Sequence, residues 1–266
     1  MIRIFTFLFF FWLVNSAAMA GEFDHGDWNQ LLRNHVVSLH DGQASVVDYS
    51  ALADKHDSLK AYLARLSGVS RQQFDQWTEI EQLAFLINVY NAWTVELILT
   101  AWPEVASIRE LGSLFRSPWQ KEFIPLLGET RSLDDIEHGL IRGSGRYNDP
   151  RIHFAINCAS IGCPALRAEA YDSERIDAQL EEQSIAFLTD RSRNRLENRV
   201  LMVSPIFKWY REDFERGWKG FDSLTDFFAA YATALGISSA DVHIVQAGRM
   251  DVQFLDYDWR LNARQG

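Results

Sequence analysis

Cysteine and positive charge are both scarce in this chain of 266 residues. The only cysteines are Cys158 and Cys163, so the sequence allows at most one internal disulfide. Lysine and arginine number 26 against 36 aspartates and glutamates, and this balance argues against nucleic acid or an anionic membrane as the main partner. Low-complexity segments, internal repeats and a Pro/Gly/Ser-rich linker are also lacking, which favours one domain rich in large apolar side chains.

Long hydrophobic runs are lacking everywhere except at the amino terminus. There, Arg3 precedes an almost wholly apolar run at 4–14, and Ala18-Met19-Ala20 follows as a small-x-small motif. This order is typical of a secretory signal peptide, and the apolar run is shorter than the roughly 20 residues that span a bilayer. We therefore expect cleavage after Ala20, a globular domain over 21–266 without a stable membrane anchor, and a periplasmic or secreted location.

The pattern of apolar residues and caps predicts a mainly helical α+β domain with a small mixed or antiparallel sheet. Helices are predicted over 28–39, 50–66, 78–102, 132–143, 173–188, 206–214 and 223–235. Short strands are predicted over 44–49, 149–157, 199–204, 242–246 and 252–262, with a hairpin turning at Gly128. The helix that Thr78 caps is apolar nearly all round, which is typical of a central helix.

The stretch DPRIHFAINCASIGCPAL places both cysteines just after a predicted strand. Cys158 would lie at a corner with small residues, where a nucleophilic thiol is exposed and the amides around Ala159 and Ser160 could bind an oxyanion. In an exported protein, the Cys-x4-Cys spacing is equally compatible with a small disulfide. A metal site would need further ligands such as His138 and His153, which lack the close pairing of a zinc motif, so no metal is expected.

One face of the helix after Ser132 carries a carboxylate among apolar residues. Glu137 lies within that face and His138 lies on its flank. A buried carboxylate needs a partner, so Glu137 either joins two helices or orients a histidine. Because Glu137 and His138 are consecutive, they point about 100° apart, and the group that orients His138 would come from another element.

Three asparagines interrupt otherwise apolar segments. Asn88 and Asn91 lie three residues apart on the central helix, where each either grips loop backbone or assists chemistry by orienting a histidine or polarising a carbonyl. With Asn157, Asn88 is a candidate for contacting substrate or an oxyanion. His153 would face away from Cys158 on a regular strand, so a histidine satisfied within a sheet is the favoured interpretation.

Five sequence blocks together resemble a known family. The blocks FLINVYNAWTV, SLDDIEHGLIR, DPRIHFAINCASIGCPAL, PIFKWYREDF and FLDYDWRLN are similar, in order and spacing, to the domain of unknown function 547 family over about 50–262. That family occurs in exported bacterial proteins and as a carboxy-terminal module in plant proteins. The resemblance implies signature positions at Asn91, Glu137, His138, Cys158, Ser160 and Pro164. Cys163 departs from the plant form, where serine is common, and a pattern that keeps only the first cysteine suits a thiol role.

These observations lead to a hypothesis and an alternative. The hypothesis is an exported thiol-dependent hydrolase or acyltransferase acting on an amide or thioester of a small molecule or peptide, without a cofactor. Cys158 would be the nucleophile and His138 the general base, oriented by Glu137 or Asn91. The alternative is a non-catalytic scaffold that binds a protein partner through surface aromatic residues, with Cys158 and Cys163 as a structural pair.

Overall fold

The computed structural model describes residues 23–113 and 116–264, so the predicted signal peptide at 1–20 lies outside the described residues. The fold is mainly helical with small sheets, which confirms the predicted α+β class. The α-helices are α1 (Gly26–His35), α2 (Tyr49–Ala53), α3 (His56–Ser67), α4 (Arg71–Phe74), α5 (Glu79–Leu99), α6 (Ile152–Ala155), α7 (Ile176–Thr189), α8 (Ile206–Trp209), α9 (Arg211–Phe214), α10 (Leu224–Ala230) and α11 (Val242–Gln246). A π-helix spans Asp135–Arg142, and 3₁₀ turns span His40–Gly42, Ile108–Leu111, Pro118–Gln120 and Trp218–Gly220.

The strands form two hairpins and one three-stranded sheet. The strands are β1 (Val36–Leu39), β2 (Ala44–Val47), β3 (Ile124–Leu126), β4 (Glu129–Arg131), β5 (Arg195–Glu197), β6 (Val200–Val203) and β7 (Asp251–Phe254). Strand pairs β1–β2, β3–β4 and β5–β6 are antiparallel, whereas β6 and β7 are parallel. The β3–β4 hairpin turns at Leu127 and Gly128, which both have positive φ, as the sequence predicted for Gly128.

Helix α5 begins and packs as its sequence predicts. The Thr78 side chain accepts from Glu81 N while the Glu81 carboxylate accepts from Thr78 N, so the capping box forms. Among the described residues, α5 is the one helix long and apolar enough to cross a membrane, but 94% of its most apolar window is buried inside the protein. It is therefore a core helix, and its apolar circumference reflects contact on all sides.

The buried apolar side chains form two clusters that meet at α6. The larger cluster surrounds α5 and includes Ile152 and Ala155 of α6. The smaller cluster contains Phe154 together with the side chains of the carboxy-terminal helices. Because one turn of helix contributes to both clusters, the chain that follows α6 is held between them.

Several predicted elements differ from those observed. The first helix ends at His35, because Val36 begins a strand whose partner Val47 is distant in sequence. The cap of α2 is Asp48 rather than Ser50, and the predicted helix 50–66 is two helices, α2 and α3. Helix α7 begins at Ile176 after Arg175, so Ser173 is not its cap.

Two apolar segments predicted as strands are helical. The segment 149–157 contains α6, and the segment 242–246 is α11. Both are short and mix a few apolar residues with polar ones, so their periodicity does not distinguish a buried helical turn from a buried strand. Tertiary contacts with the rest of the chain decide between the two conformations, and these contacts cannot be read from the local sequence.

Candidate functional site

Asn91 on α5 fixes the segment that leads to Cys158. Its Nδ2 donates to the carbonyl oxygen of Ala155 at 3.0 Å, and its Oδ1 accepts from the amide of Asn157 at 2.8 Å. Asn91 is 3% exposed, which confirms its predicted burial with a protein partner. Since the side chain binds backbone, Asn91 positions the segment before the thiol and does not orient an imidazole, contrary to one of the hypotheses.

Asn88 and Asn157 also bind backbone. Asn88 donates to Tyr171 O at 2.8 Å and accepts from Tyr171 N at 3.0 Å. Asn157 donates to Pro164 O at 2.8 Å and accepts from the amide of Ala159 at 2.9 Å. The proposed oxyanion role of the Ala159 amide is therefore wrong, because Asn157 already uses that N–H, and both asparagines have the structural role that was the alternative.

The loop between the two cysteines is closed by a sulfur contact. The amide of Cys158 donates to Cys163 Sγ at 2.8 Å, and both cysteines are free thiols rather than a disulfide. The segment 257–262 covers this loop, and the amide of Gly162 donates to the carbonyl of Asp258 at 2.8 Å. A Cβ at Gly162 would lie 3.0 Å from the ring of Tyr257, so glycine permits this close approach.

The Cys158 thiol has two hydroxyl neighbours. Its Sγ lies 3.1 Å from Ser160 Oγ and 3.1 Å from Tyr257 Oη, and Ser160 Oγ donates to Tyr257 Oη at 3.2 Å. Burial alone would raise the pKa of Cys158, but hydrogen bonds with Cys163, Ser160 and Tyr257 lower this pKa below that of a free thiol. Burial and the neighbouring Cys158 raise the pKa of Cys163. The pair is thus asymmetric, with Cys158 the more acidic thiol and Cys163 the less acidic one.

Cys158 lies on the wall of a cavity of about 220 Å³. The cavity is lined by Tyr90, Trp119, Asp134, Glu137, His138, His153, Ile156, Cys158, Cys163, Pro164, Ile206, Trp209, Tyr210, Tyr257 and Trp259. This lining combines an apolar and aromatic surface with a few polar groups, which is typical of small-molecule sites. The structure therefore brings Cys158, His138 and Glu137 to one cavity.

Glu137 is the most buried carboxyl group on this wall. It is 4% exposed, and its Oε1 has no hydrogen-bond partner among the described residues. Burial raises the pKa of Tyr210, and the charge of Glu137 with a hydrogen bond between the two raises it further. The predicted burial of Glu137 is confirmed, but only part of its hydrogen-bonding capacity is used inside the protein.

His138 lies at the rim of the cavity with its side chain 43% exposed. Its Nδ1 is 2.7 Å from Arg142 Nη1, and its Nε2 is 3.8 Å from Asp134 Oδ1. The hydrogen bond expected between His138 and Cys158 is not formed, because the thiol instead contacts Ser160 and Tyr257. Since arginine only donates, Nδ1 accepts, and the proton of the neutral ring is on Nε2. In this arrangement Nε2 is a donor, not the base that the sequence hypothesis assigned.

His153 is a buried histidine that the strand prediction placed on the wrong side. On α6 it joins the cavity wall, where its ring stacks on Tyr210 with centroids 3.9 Å apart. Its Nε2 is 2.7 Å from Asp213 Oδ2, while Nδ1 is buried without a partner among the described residues. Burial lowers the pKa of His153, whereas Asp213 opposes this change. The expected satisfied histidine is therefore only half satisfied.

The mouth of the cavity is formed largely by aromatic rings. Trp209 packs against Tyr257 and Trp259 with centroids 5.0 and 5.9 Å apart, and Trp119 lies 5.7 Å from Trp259. Trp209 is 47% exposed, so this aromatic surface is open to solvent. No arginine or lysine is among the residues that line the cavity.

Across residues 23–113 and 116–264, no group of three or more His, Cys, Asp or Glu side chains is arranged to hold a metal ion. His138 and His153, the two possible ligands from the sequence, bind Arg142 and Asp213 instead.

Several residues of the site are not among those predicted from the sequence. Tyr257 and Trp259 belong to the block FLDYDWRLN, and Trp209 and Tyr210 belong to PIFKWYREDF, so these two blocks carried the signal. These four residues lie tens of positions from Cys158 in sequence, and no local pattern indicates that they share a cavity with the thiol.

Comparison with known proteins gives one match. The family model described as "Protein of unknown function, DUF547" matches residues 74–188, a segment that includes α5, the π-helix and both cysteines. No curated protein and no solved structure matches the chain.

Proposed function

Because the chain is a member of the DUF547 family through residues 74–188, and that description assigns no activity, we propose a function from the geometry of the cavity. We propose a thiol-dependent hydrolase or acyltransferase in which Cys158 is the nucleophile. The observation that carries this proposal is the position of Cys158 Sγ, on a cavity wall and 3.1 Å from each of two hydroxyl groups. The Tyr257 hydroxyl can donate its proton to a thiolate and stabilise it while it accepts from Ser160 Oγ.

The proposed reaction begins with attack of the Cys158 thiolate on the carbonyl carbon of the substrate. A C–S bond forms while the carbonyl electron pair moves to oxygen, and the N–H at His138 Nε2 is the cavity group suited to stabilise that oxygen. Collapse of this intermediate expels the leaving group. Water or another acceptor then attacks the thioester carbon, the C–S bond breaks, and the acceptor proton goes to the departing sulfur.

Of the two substrate classes, the site favours a thioester over an amide. An amine leaving group must receive a proton, and neutral His138 retains its only ring proton because its other nitrogen accepts from Arg142. A thiolate leaving group departs without protonation. Because Nδ1 accepts from Arg142, we also propose that His138 acts as a hydrogen-bond donor to the substrate rather than as a general base.

The proposal is tested by acetylation of the protein with a thioester, S-acetyl-N-acetylcysteamine, followed by peptide mass spectrometry. We expect one acetyl group on Cys158 in the wild type and in Cys163→Ala, and none on any thiol in Cys158→Ala. Equal acetylation of both cysteines, or none, contradicts the proposal. Recovery of the two cysteines as an unreactive disulfide would instead favour the non-catalytic scaffold.

We also propose that this chemistry takes place outside the cytoplasm, in the periplasm or after secretion. Support comes from the sequence of residues 1–20, with Arg3, the apolar run and the Ala18-Met19-Ala20 motif. Intact-mass measurement of the exported protein should give a chain that begins at Gly21. A mature form that keeps Met1 contradicts this proposal.

A further inference from the structure

Within the described part of the chain, Glu137 lines a cavity whose lining includes no lysine or arginine, and one of its carboxylate oxygens is unpaired. Glu137 is 4% exposed and its Oε1 has no partner among the described residues. Burial raises the pKa of Tyr90 and the charge of Glu137 adds to this effect, so that charge acts across the cavity wall. A buried charge without a counter-ion is costly, and a ligand that supplies the opposite charge removes part of this cost.

The nearest guanidinium group is already engaged elsewhere. Arg142 pairs with Asp213, donates to His138 and packs over the ring of Tyr210, and it is not part of the cavity lining. A second carboxylate, Asp134, is also on the lining, where burial raises its pKa. Across the described ranges, the lining therefore includes two carboxyl groups and two histidines but no lysine or arginine. Arg142 acts from outside it, where burial lowers the pKa of Arg142 while Asp213 and the charge of Glu137 raise it.

The rest of the wall suits a cation attached to an apolar group. Trp119, Trp209 and Trp259 form the mouth together with Tyr257, and aromatic faces attract cations as well as apolar groups. A cavity of about 150 Å³ is enough to hold benzene, so about 220 Å³ admits a small apolar group with one charged end.

From these observations we infer that the cavity binds substrates with an ammonium group that pairs with Glu137. The inference rests on the proposed function, since it names the substrate class of the same site: an acyl compound with a small apolar body and a protonated amine. Glu137 then contacts the substrate and sets specificity, while Cys158 carries out the chemistry. A free carboxylate on the substrate would be rejected, because Glu137 and Asp134 would repel it.

The experiment uses Cys158→Ala, so that binding is measured without any reaction at sulfur. The probes are benzylammonium, benzyl alcohol and benzoate, which share a ring and differ in the charge of one group. Binding is followed by calorimetry and by the fluorescence of the tryptophans at the mouth. We expect benzylammonium to bind at least tenfold more tightly than benzyl alcohol, and benzoate to bind more weakly than either.

A variant of Glu137 then tests whether this carboxylate pairs with the ammonium group. Glu137→Gln in the same background should reduce the preference for benzylammonium over benzyl alcohol to about twofold or less, whereas Glu174→Gln, on an exposed residue outside the cavity, should leave it unchanged. Equal binding of the three probes by Cys158→Ala, no binding of any, or an unchanged preference in folded Glu137→Gln overturns the inference. Should Glu137→Gln not fold, the comparison of the three probes still decides.

The two proposals fail in different ways. Loss of the ammonium preference with normal acetylation of Cys158 overturns the substrate class alone. An unreactive Cys158 with a clear ammonium preference overturns the thiol chemistry and leaves a binding site for amines.

Discussion

At the scale of single residues, the acidity of Cys158 depends in part on a hydroxyl group that is distant in sequence. Tyr257 lies 99 residues after Cys158, yet its Oη is 3.1 Å from the sulfur. Ser160, whose hydroxyl also contacts the sulfur, is a near neighbour in sequence, and Cys163 Sγ accepts a hydrogen bond from the Cys158 amide. The hydrogen-bonding environment of the Cys158 thiol is therefore formed by its own loop together with one residue of the carboxy-terminal segment.

Replacing Tyr257 with Phe should make Cys158 less acidic. The variant keeps the ring but removes the O–H donor, and a hydrogen bond to a charged group contributes about 1.5–3 kcal/mol, so the pKa of Cys158 should rise by roughly 1–2 units. The measurement is the rate of alkylation by iodoacetamide against pH, whose midpoint in the wild type should lie below about 8.5, the value for a free thiol. Tyr231→Phe is the matched control, because that phenol donates to Glu181 instead. An unchanged midpoint in Tyr257→Phe would show that this contact does not stabilise the thiolate.

At the scale of elements, α5 holds two separate pieces of chain through two asparagines one turn apart. Asn91 binds the segment 155–157 before Cys158, and Asn88 binds the backbone at Tyr171. Replacing either with Leu keeps the side-chain volume but leaves two buried backbone groups unpaired. At about 1–3 kcal/mol for each group, we expect a loss of about 2–6 kcal/mol in the free energy of unfolding, measured with urea.

The two asparagine variants should differ in their effect on the thiol. Asn91→Leu releases the segment next to Cys158, so the alkylation midpoint of Cys158 should shift, whereas Asn88→Leu should leave it near the wild-type value. Equal shifts in both variants would mean that general loss of stability, and not local positioning, determines the alkylation midpoint of Cys158.

The loop between the cysteines depends on a glycine at its contact with the carboxy-terminal segment. Gly162→Ala would place a Cβ 3.0 Å from both the Tyr257 ring and the amide of Asp258, so one of them must move. We expect the alkylation midpoint of Cys158 to rise, as in Tyr257→Phe. Gly139→Ala is the matched control, because a Cβ there meets no atom within 4 Å. A wild-type midpoint in Gly162→Ala would indicate that the loop and the ring adjust together.

At the scale of the whole molecule, the half-buried His25 and the buried His153 couple folding to pH. Burial lowers the pKa of His25 from 6.5 to about 3 and also lowers that of His153. Below pH 6.5 the unfolded chain therefore binds protons that the folded protein does not bind. The free energy of unfolding should fall as the pH decreases from 6.5 to 5, by up to about 1.4 kcal/mol per pH unit for each such histidine.

Urea denaturation of His153→Gln over this range should show a shallower dependence on pH, because one of these protons is removed. Depression of the Asp213 pKa acts only near and below its unfolded value of about 3.9, outside this window. His243→Gln, on an exposed histidine, serves as the control and should keep the wild-type dependence. A His153→Gln slope equal to that of the wild type would mean that the folded protein does protonate His153.

Local signals in the sequence predicted the caps at Thr78 and Ser132, the turn at Gly128 and the central helix. The Thr78 capping box, the hairpin at Gly128 and the bond between Ser132 and the Asp135 carboxylate depend on residues at most four positions apart, so the sequence contains all of their information. Segments such as 149–157 were predicted wrongly, because a short stretch with a few apolar residues is compatible with a buried strand or a buried helical turn.

The sequence alone determined the α+β class and the burial of α5, and it singled out Cys158, Glu137 and His138 as candidate site residues, since periodicity, composition and short motifs are local properties. Only the tertiary structure decided what these groups touch. In the folded chain His153 lies on the cavity wall, the His138 ring accepts a hydrogen bond from Arg142, and the Tyr257 hydroxyl contacts the Cys158 sulfur. Those contacts join residues up to 99 positions apart, and packing of the whole chain, rather than any local preference, determines which of them meet.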